Sequence, residues 1–215
     1  MMKTSANFPS TATVPTVLEQ LGYKTADAQL LTIPIYTFAL IATVVVAFLS
    51  DHYQQRTPFI MGGFAIAVVG FIAELAIPHP KMPGVTYFFL FLVAAGLYCP
   101  FTCIVTLVAN NLAPSSKRAV GMALMISVGN MGGICGSNIY FSAEAPKYPA
   151  GYGTSLGICI AGIIAAYILR RAYQRENRHR DELLAAGGEE AIKARYTEQE
   201  LLDLGDLSPF YRYTL

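Results

Sequence analysis

The sequence predicts an all-α fold, a polytopic bundle of transmembrane helices with about five full spans and a partial helix before them. Three observations carry this. Residues 28–50 form a run of twenty-three residues without a charge, and four more long apolar runs follow. Only 13% of the residues are charged, against about 25% in soluble domains. The charges are also segregated into short separators and the C-terminal residues from Arg170 onward. At about 1.5 Å per residue, a helix of the first run's length reaches roughly 34 Å, enough to cross a hydrocarbon core of about 30 Å. A bilayer accepts only segments that satisfy their own backbone hydrogen bonds, so each run is expected to be a helix.

The expected spans are residues 28–50, 58–77, 85–109, 119–143 and 152–169. The separators are short, so consecutive spans must run antiparallel. They also hold turn formers: Pro78, Pro80, Pro83 and Gly84 in one, Pro146, Pro149 and Gly151 in another. Orientation follows from Lys and Arg. Arg56, Lys117, Arg118, Arg170, Arg171, Arg175, Arg178 and Arg180 fall on one side, eight in all; Lys3, Lys24, Lys81 and Lys147, four in all, fall on the other. The richer side is expected in the cytoplasm, with the C-terminus. Three units result: an outer segment with the remnant of a helix (1–27), a membrane bundle (28–171) and a cytoplasmic tail (172–215). The tail is expected to be mostly solvated, with short helices. Arg170, Arg171, Arg175 and Arg178 adjoin the inner leaflet, where anionic lipid is the natural partner.

Several function classes drop out. No basic stripe with interleaved aromatics exists, so nucleic acid is not a partner. Cys99, Cys103, Cys135 and Cys159 all lie inside apolar runs and read as small buried hydrophobes. No His or carboxylate joins Cys99 and Cys103 on their helix face, so neither a metal nor another cofactor is expected. An enzyme would need paired carboxylates or a nucleophile with its base at depth. His52, His79 and His179 all fall in loops or the tail.

Ser50-Asp51-His52-Tyr53-Gln54-Gln55-Arg56 follows the first span. It resembles the loop motif of the major facilitator superfamily, an Asp followed by an Arg between two helices. His52 departs from that motif, which usually has Arg or Lys there. Three further stretches sharpen the likeness: Gln29-Leu30-Leu31-Thr32-Ile33-Pro34-Ile35-Tyr36, Asn110-Asn111-Leu112-Ala113-Pro114-Ser115-Ser116-Lys117-Arg118-Ala119 and Gly129-Asn130-Met131-Gly132-Gly133-Ile134-Cys135-Gly136. With Gly205-Asp206-Leu207-Ser208-Pro209-Phe210-Tyr211-Arg212-Tyr213, the chain resembles the C-terminal half of the fungal anion:cation symporters related to allantoate permease. The resemblance implies helices eight to twelve of a twelve-helix carrier in the plasma membrane. It implies proton-coupled uptake of a small organic anion, such as a ureide, a vitamin or a sugar acid. It also implies that a missing N-terminal half is required. The alternative is a non-transporting half-carrier or membrane interaction subunit.

The polar residues in and beside the spans are the candidate site. In the resembled family the loop's acidic residue faces a helix N-terminus, where the dipole favours negative charge. Asp51, Arg56 and Arg118 are therefore gating candidates. Tyr98, Pro100 and Thr102 interrupt the third span, and Pro34 and Tyr36 the first. A proline in mid-span frees a carbonyl and kinks a helix, and such breaks either line a substrate site or relieve packing. In the fourth span Gly129, Gly133 and Gly136 cluster on one side, which suits close helix packing. Asn130, Ser137 and Asn138 lie on an adjacent arc and must face a cavity or another helix. Tyr36, Tyr98, Thr102, Asn130, Ser137 and Asn138 are thus the substrate-binding candidates. Glu74, inside a span, is either a proton-coupling group or a side chain reaching the headgroups; its place one turn before Pro78 favours the second.

Overall fold

A computed structural model describes residues 25–77, 82–139, 149–187 and 196–215. These residues are helical, with no strand among them. Helix α1 is Thr25–Tyr53, α2 Thr57–Ala76, α3 Pro83–Asn111, α4 Ser115–Ile139 and α5 Pro149–Gly187. A short α6, Glu198–Leu204, leads into a single 3₁₀ turn, Gly205–Leu207.

Local chemistry sets the ends. Pro58 and Pro83 stand in the first turns of α2 and α3, where a missing N–H costs nothing. Thr197 and Glu200 form a reciprocal capping box at α6. Between α1 and α2 the chain turns within three residues. Gln54 adopts a positive φ of 52°, and both its backbone N–H and its side-chain amide donate to the Asp51 carbonyl.

Among the described residues four helices, α1, α2, α3 and α5, are long and apolar enough to cross a membrane. Helix α4 corresponds to the span expected at 119–143. Its first turn carries Lys117 and Arg118, which dilute its apolar character, and residues 140–143 lie outside the described part. The boundary expected after residue 171 falls inside α5, which continues without a break to Gly187.

The core lies where the four apolar helices meet. Ala28, Ile35 and Ala39 of α1, Ala67 and Phe71 of α2, Leu90 and Ala94 of α3, and Tyr152 and Cys159 of α5 are buried in one cluster. A second cluster, Ile60, Cys103 and Leu107, lies nearer the other end of α2 and α3. Lipid tails are as apolar as leucine, so helix association must rest on close packing. Glycines provide it. A Cβ on Gly63 would stand 2.4 Å from the Pro100 ring, one on Gly70 2.6 Å from Val93, and one on Gly96 2.5 Å from the Ala67 backbone. Helices α2 and α3 therefore approach nearly backbone to backbone. Pro100 is buried against Gly63 and α3 runs unbroken through it, so this proline serves packing.

Two expectations are corrected. Glu74 does not reach outward; it is fully buried. Residues 206–215 are not a solvated tail but fold back against the ends of α2, α3 and α5.

Candidate functional site

The site candidates fall into two groups, one at the helix ends and one at mid-span. At the helix ends, the Arg56 guanidinium donates to the Asp51 carboxylate at 2.6 Å. The two are unequally placed: the Asp51 side chain is 60% exposed and that of Arg56 13%. Such a half-exposed pair contributes little to stability, about 0–1 kcal/mol, and is free to exchange partners. Arg56 is fixed by more than this pair, because its backbone N–H donates to a main-chain oxygen of Leu215. Beside it, Gln55 accepts from Arg170 of α5 at 3.3 Å. Arg118 sits apart from Asp51. Its Nε donates to the Leu112 carbonyl at 3.1 Å, where a cation suits the carbonyl end of α3.

At mid-span, Tyr36 of α1 and Tyr98 of α3 meet edge to face, their ring centroids 6.2 Å apart. Both rings remain open on one side, at 41% and 49% exposure. The Thr102 hydroxyl donates back to the Tyr98 carbonyl at 3.4 Å, so that side chain is engaged within its own helix. Thr43, seven residues after Tyr36, and Cys99, next to Tyr98, approach to 3.7 Å. Cys99, Cys103 and Cys159 are free and buried.

Helix α4 stands aside from this pair. Asn130 is exposed, and a Cβ added at Gly129 would meet nothing within 4 Å. The backbone places Gly133, Gly136, Ser137 and Asn138 on α4, but their side chains lie outside the described residues. No cluster of metal-ligating side chains occurs among the described residues.

Sequence reasoning missed the glycines of α2 and α3, because it weighed glycine only in α4. It also missed Asn111 and Asn177, whose partners lie in the C-terminal segment.

The sequence profile of the Major Facilitator Superfamily matches residues 3–205. The chain belongs to the major facilitator superfamily. Its relatives agree. It is 39% identical over 206 residues to the MFS-type transporter cnsO of Penicillium expansum, covering 94% of this chain and 39% of that protein. It is 30% identical to the major facilitator-type transporter hxnP of Emericella nidulans, over 94% of this chain and 40% of that one. It is 26% identical to the high-affinity nicotinic acid transporter of Saccharomyces cerevisiae, over 96% of this chain and 37% of that one. The chain thus spans about two fifths of the length of the curated relatives it matches. No solved structure matches it. As a member of this superfamily it is a multi-pass membrane protein, and the relatives named here are transporters.

Proposed function

We propose that this chain is the C-terminal part of a twelve-helix carrier of the fungal anion:cation symporter kind, related to allantoate permease. The carrier takes up a small organic anion together with protons by alternating access. The observation that carries this reading is the Tyr36 and Tyr98 pair. Two phenols from different helices meet deep in the apolar stretch of each, with their rings open. A ring face with a hydroxyl at its rim suits a small, flat, polar solute. The relative named for nicotinic acid transport supports an organic anion as the solute class.

In this reading Tyr36, Tyr98, Thr102, Asn130, Ser137 and Asn138 line the cavity. Asp51, Arg56 and Arg118 form the gate on the cytoplasmic side. Gly129, Gly133 and Gly136 pack against another helix of the carrier. Residues 28–171 belong to the membrane bundle and 172–215 lie in the cytoplasm, below a plasma membrane whose anionic lipid meets the arginines of α5. The N-terminal half is required, because a carrier's cavity forms between two repeats.

Uptake by yeast lacking endogenous anion carriers tests this. The complete carrier should accumulate labelled nicotinate, allantoate or pantothenate, faster at acidic outer pH. The 215-residue chain alone should accumulate none. Robust uptake by the chain alone defeats the half-carrier reading. No uptake of any of the three by the complete carrier defeats the substrate class.

A further inference from the structure

The C-terminal residues 205–215 cross one end of the bundle and are bonded to α3, α4, α5 and the start of α2. Asn111, the last residue of α3, is buried and binds Thr214 twice through the backbone. Its Nδ2 donates to the Thr214 carbonyl at 3.0 Å, and the Thr214 N–H donates to its Oδ1 at 2.8 Å. The Thr214 hydroxyl adds a third bond to the same Oδ1 at 2.8 Å. Asn177 of α5 repeats the arrangement one residue earlier. It donates to the Tyr213 carbonyl at 2.8 Å and accepts from the Tyr213 N–H at 2.9 Å. A side-chain amide that pairs with both backbone groups of one residue mimics a β-ladder and fixes the register of the segment.

Three further contacts pin the segment. Tyr213 stacks on Tyr173 with centroids 4.6 Å apart, and the Arg180 guanidinium lies 4.8 Å over the Tyr213 ring. Arg180 also donates to the carbonyls of Ser208 and Tyr211. Asp206, buried, takes Lys117 of α4 at 2.6 Å. At the far end a main-chain oxygen of Leu215 accepts the Arg56 N–H, which as the N-cap donor of α2 has no partner within the helix.

We infer that residues 205–215 are an intramolecular strap, clamped by Asn111 and Asn177, that positions the loop holding Asp51 and Arg56. The strap joins α3 and α5 directly and reaches the start of α2 through its last residue. These helix ends therefore move as one body, and Arg56 is held by its backbone even when its side chain changes partner. Asn111 and Asn177 are positioning residues. The inference stands on contacts within this chain and goes beyond the transport reading.

Amide hydrogen exchange, read by mass spectrometry on the chain in lipid nanodiscs, tests it. Removing residues 209–215 should raise exchange at Arg56 by about tenfold or more, with α2 and α3 beyond their terminal turns unchanged. Asn111→Ala and Asn177→Ala should each raise exchange at 213–214 and, through the strap, at Arg56. Asn110→Ala, whose neighbour does the clamping, should leave both unchanged. Unaltered exchange at Arg56 after the truncation would overturn the strap. So would an Asn111→Ala effect spread through α2 and α3 with no matching effect of the truncation, because Asn111 would then serve the fold and not the segment.

Discussion

The Pro100 ring of α3 occupies the notch left by Gly63 of α2; a Cβ on Gly63 would stand 2.4 Å from its Cγ. Neither partner can yield easily, because the ring is rigid and the glycine belongs to a helix packed on both α3 and α5. Gly63→Ala should therefore destabilise the protein by about 1–3 kcal/mol, the usual cost of overpacking. Gly62, its neighbour, has nothing within 4 Å, so Gly62→Ala should be neutral or slightly stabilising. Thermal melting of both variants in the same detergent checks the contrast. Equal melting temperatures would mean that the notch is not filled.

Asp51→Asn removes the ion pair but not the anchoring of Arg56 through Leu215. Folded yield should stay within about 1 kcal/mol of the parent's stability, given the exposure of Asp51. In the proposed gate Asp51 also faces a helix N-terminus, and initial uptake rates of the complete carrier should fall, because losing a charge–dipole contact worth ~0.3–2 kcal/mol is enough to shift a near-balanced pair of conformations. Unchanged rates at normal yield would remove Asp51 from the gate.

Helix α4 offers a test of what lies beside it. In this chain alone, Gly129→Leu should leave stability unaltered, since the space around Gly129 is open. In the complete carrier the same change should lower the amount of folded protein if another helix approaches there. Asn130→Ala in the complete carrier should preserve yield and change apparent affinity for the anion. Lost yield at normal specific activity would make Asn130 a packing residue.

Tyr211 gives a pH prediction. Burial, assisted by the nearby Asp206, raises its phenol above the usual value, and the neutral hydroxyl donates to the Asn110 carbonyl. The folded value lies above the unfolded one of about 10. The contribution is therefore complete below that pH and is lost as pH rises through the folded value. Exchange protection at 211–215 should hold at neutral pH and fall at strongly alkaline pH. Tyr211→Phe should weaken protection at neutral pH and flatten its alkaline fall. A wild-type fall that is identical in Tyr211→Phe would assign it to another group.

The helices were legible because apolar runs and prolines are local signals. The expected first span begins and ends within three residues of α1, and the prolines in the first turns of α2 and α3 mark their starts. The loop motif singles out Asp51 and Arg56, and a five-residue separation across a tight turn lets the two meet. Gly63, Gly70 and Gly96 were illegible, because one glycine in an apolar run carries no information about which neighbour it faces. The clamp was beyond reach for another reason. Asn111 and Thr214 are 103 residues apart, and the contact is made to backbone, which has no sequence signature. Helix α5 runs on through charged turns to Gly187, a continuity that the change from apolar to charged residues near 170 does not reveal.

The pairing of Asn111 with Thr214 also constrains the order of assembly. Synthesis runs from the N-terminus, so α3 is made and inserted well before residue 214 exists. During that interval the Asn111 amide and the Arg56 N–H must be served by water. Docking of the strap supplies their peptide partners, so this face of the bundle matures only after residues 213–215 have been made.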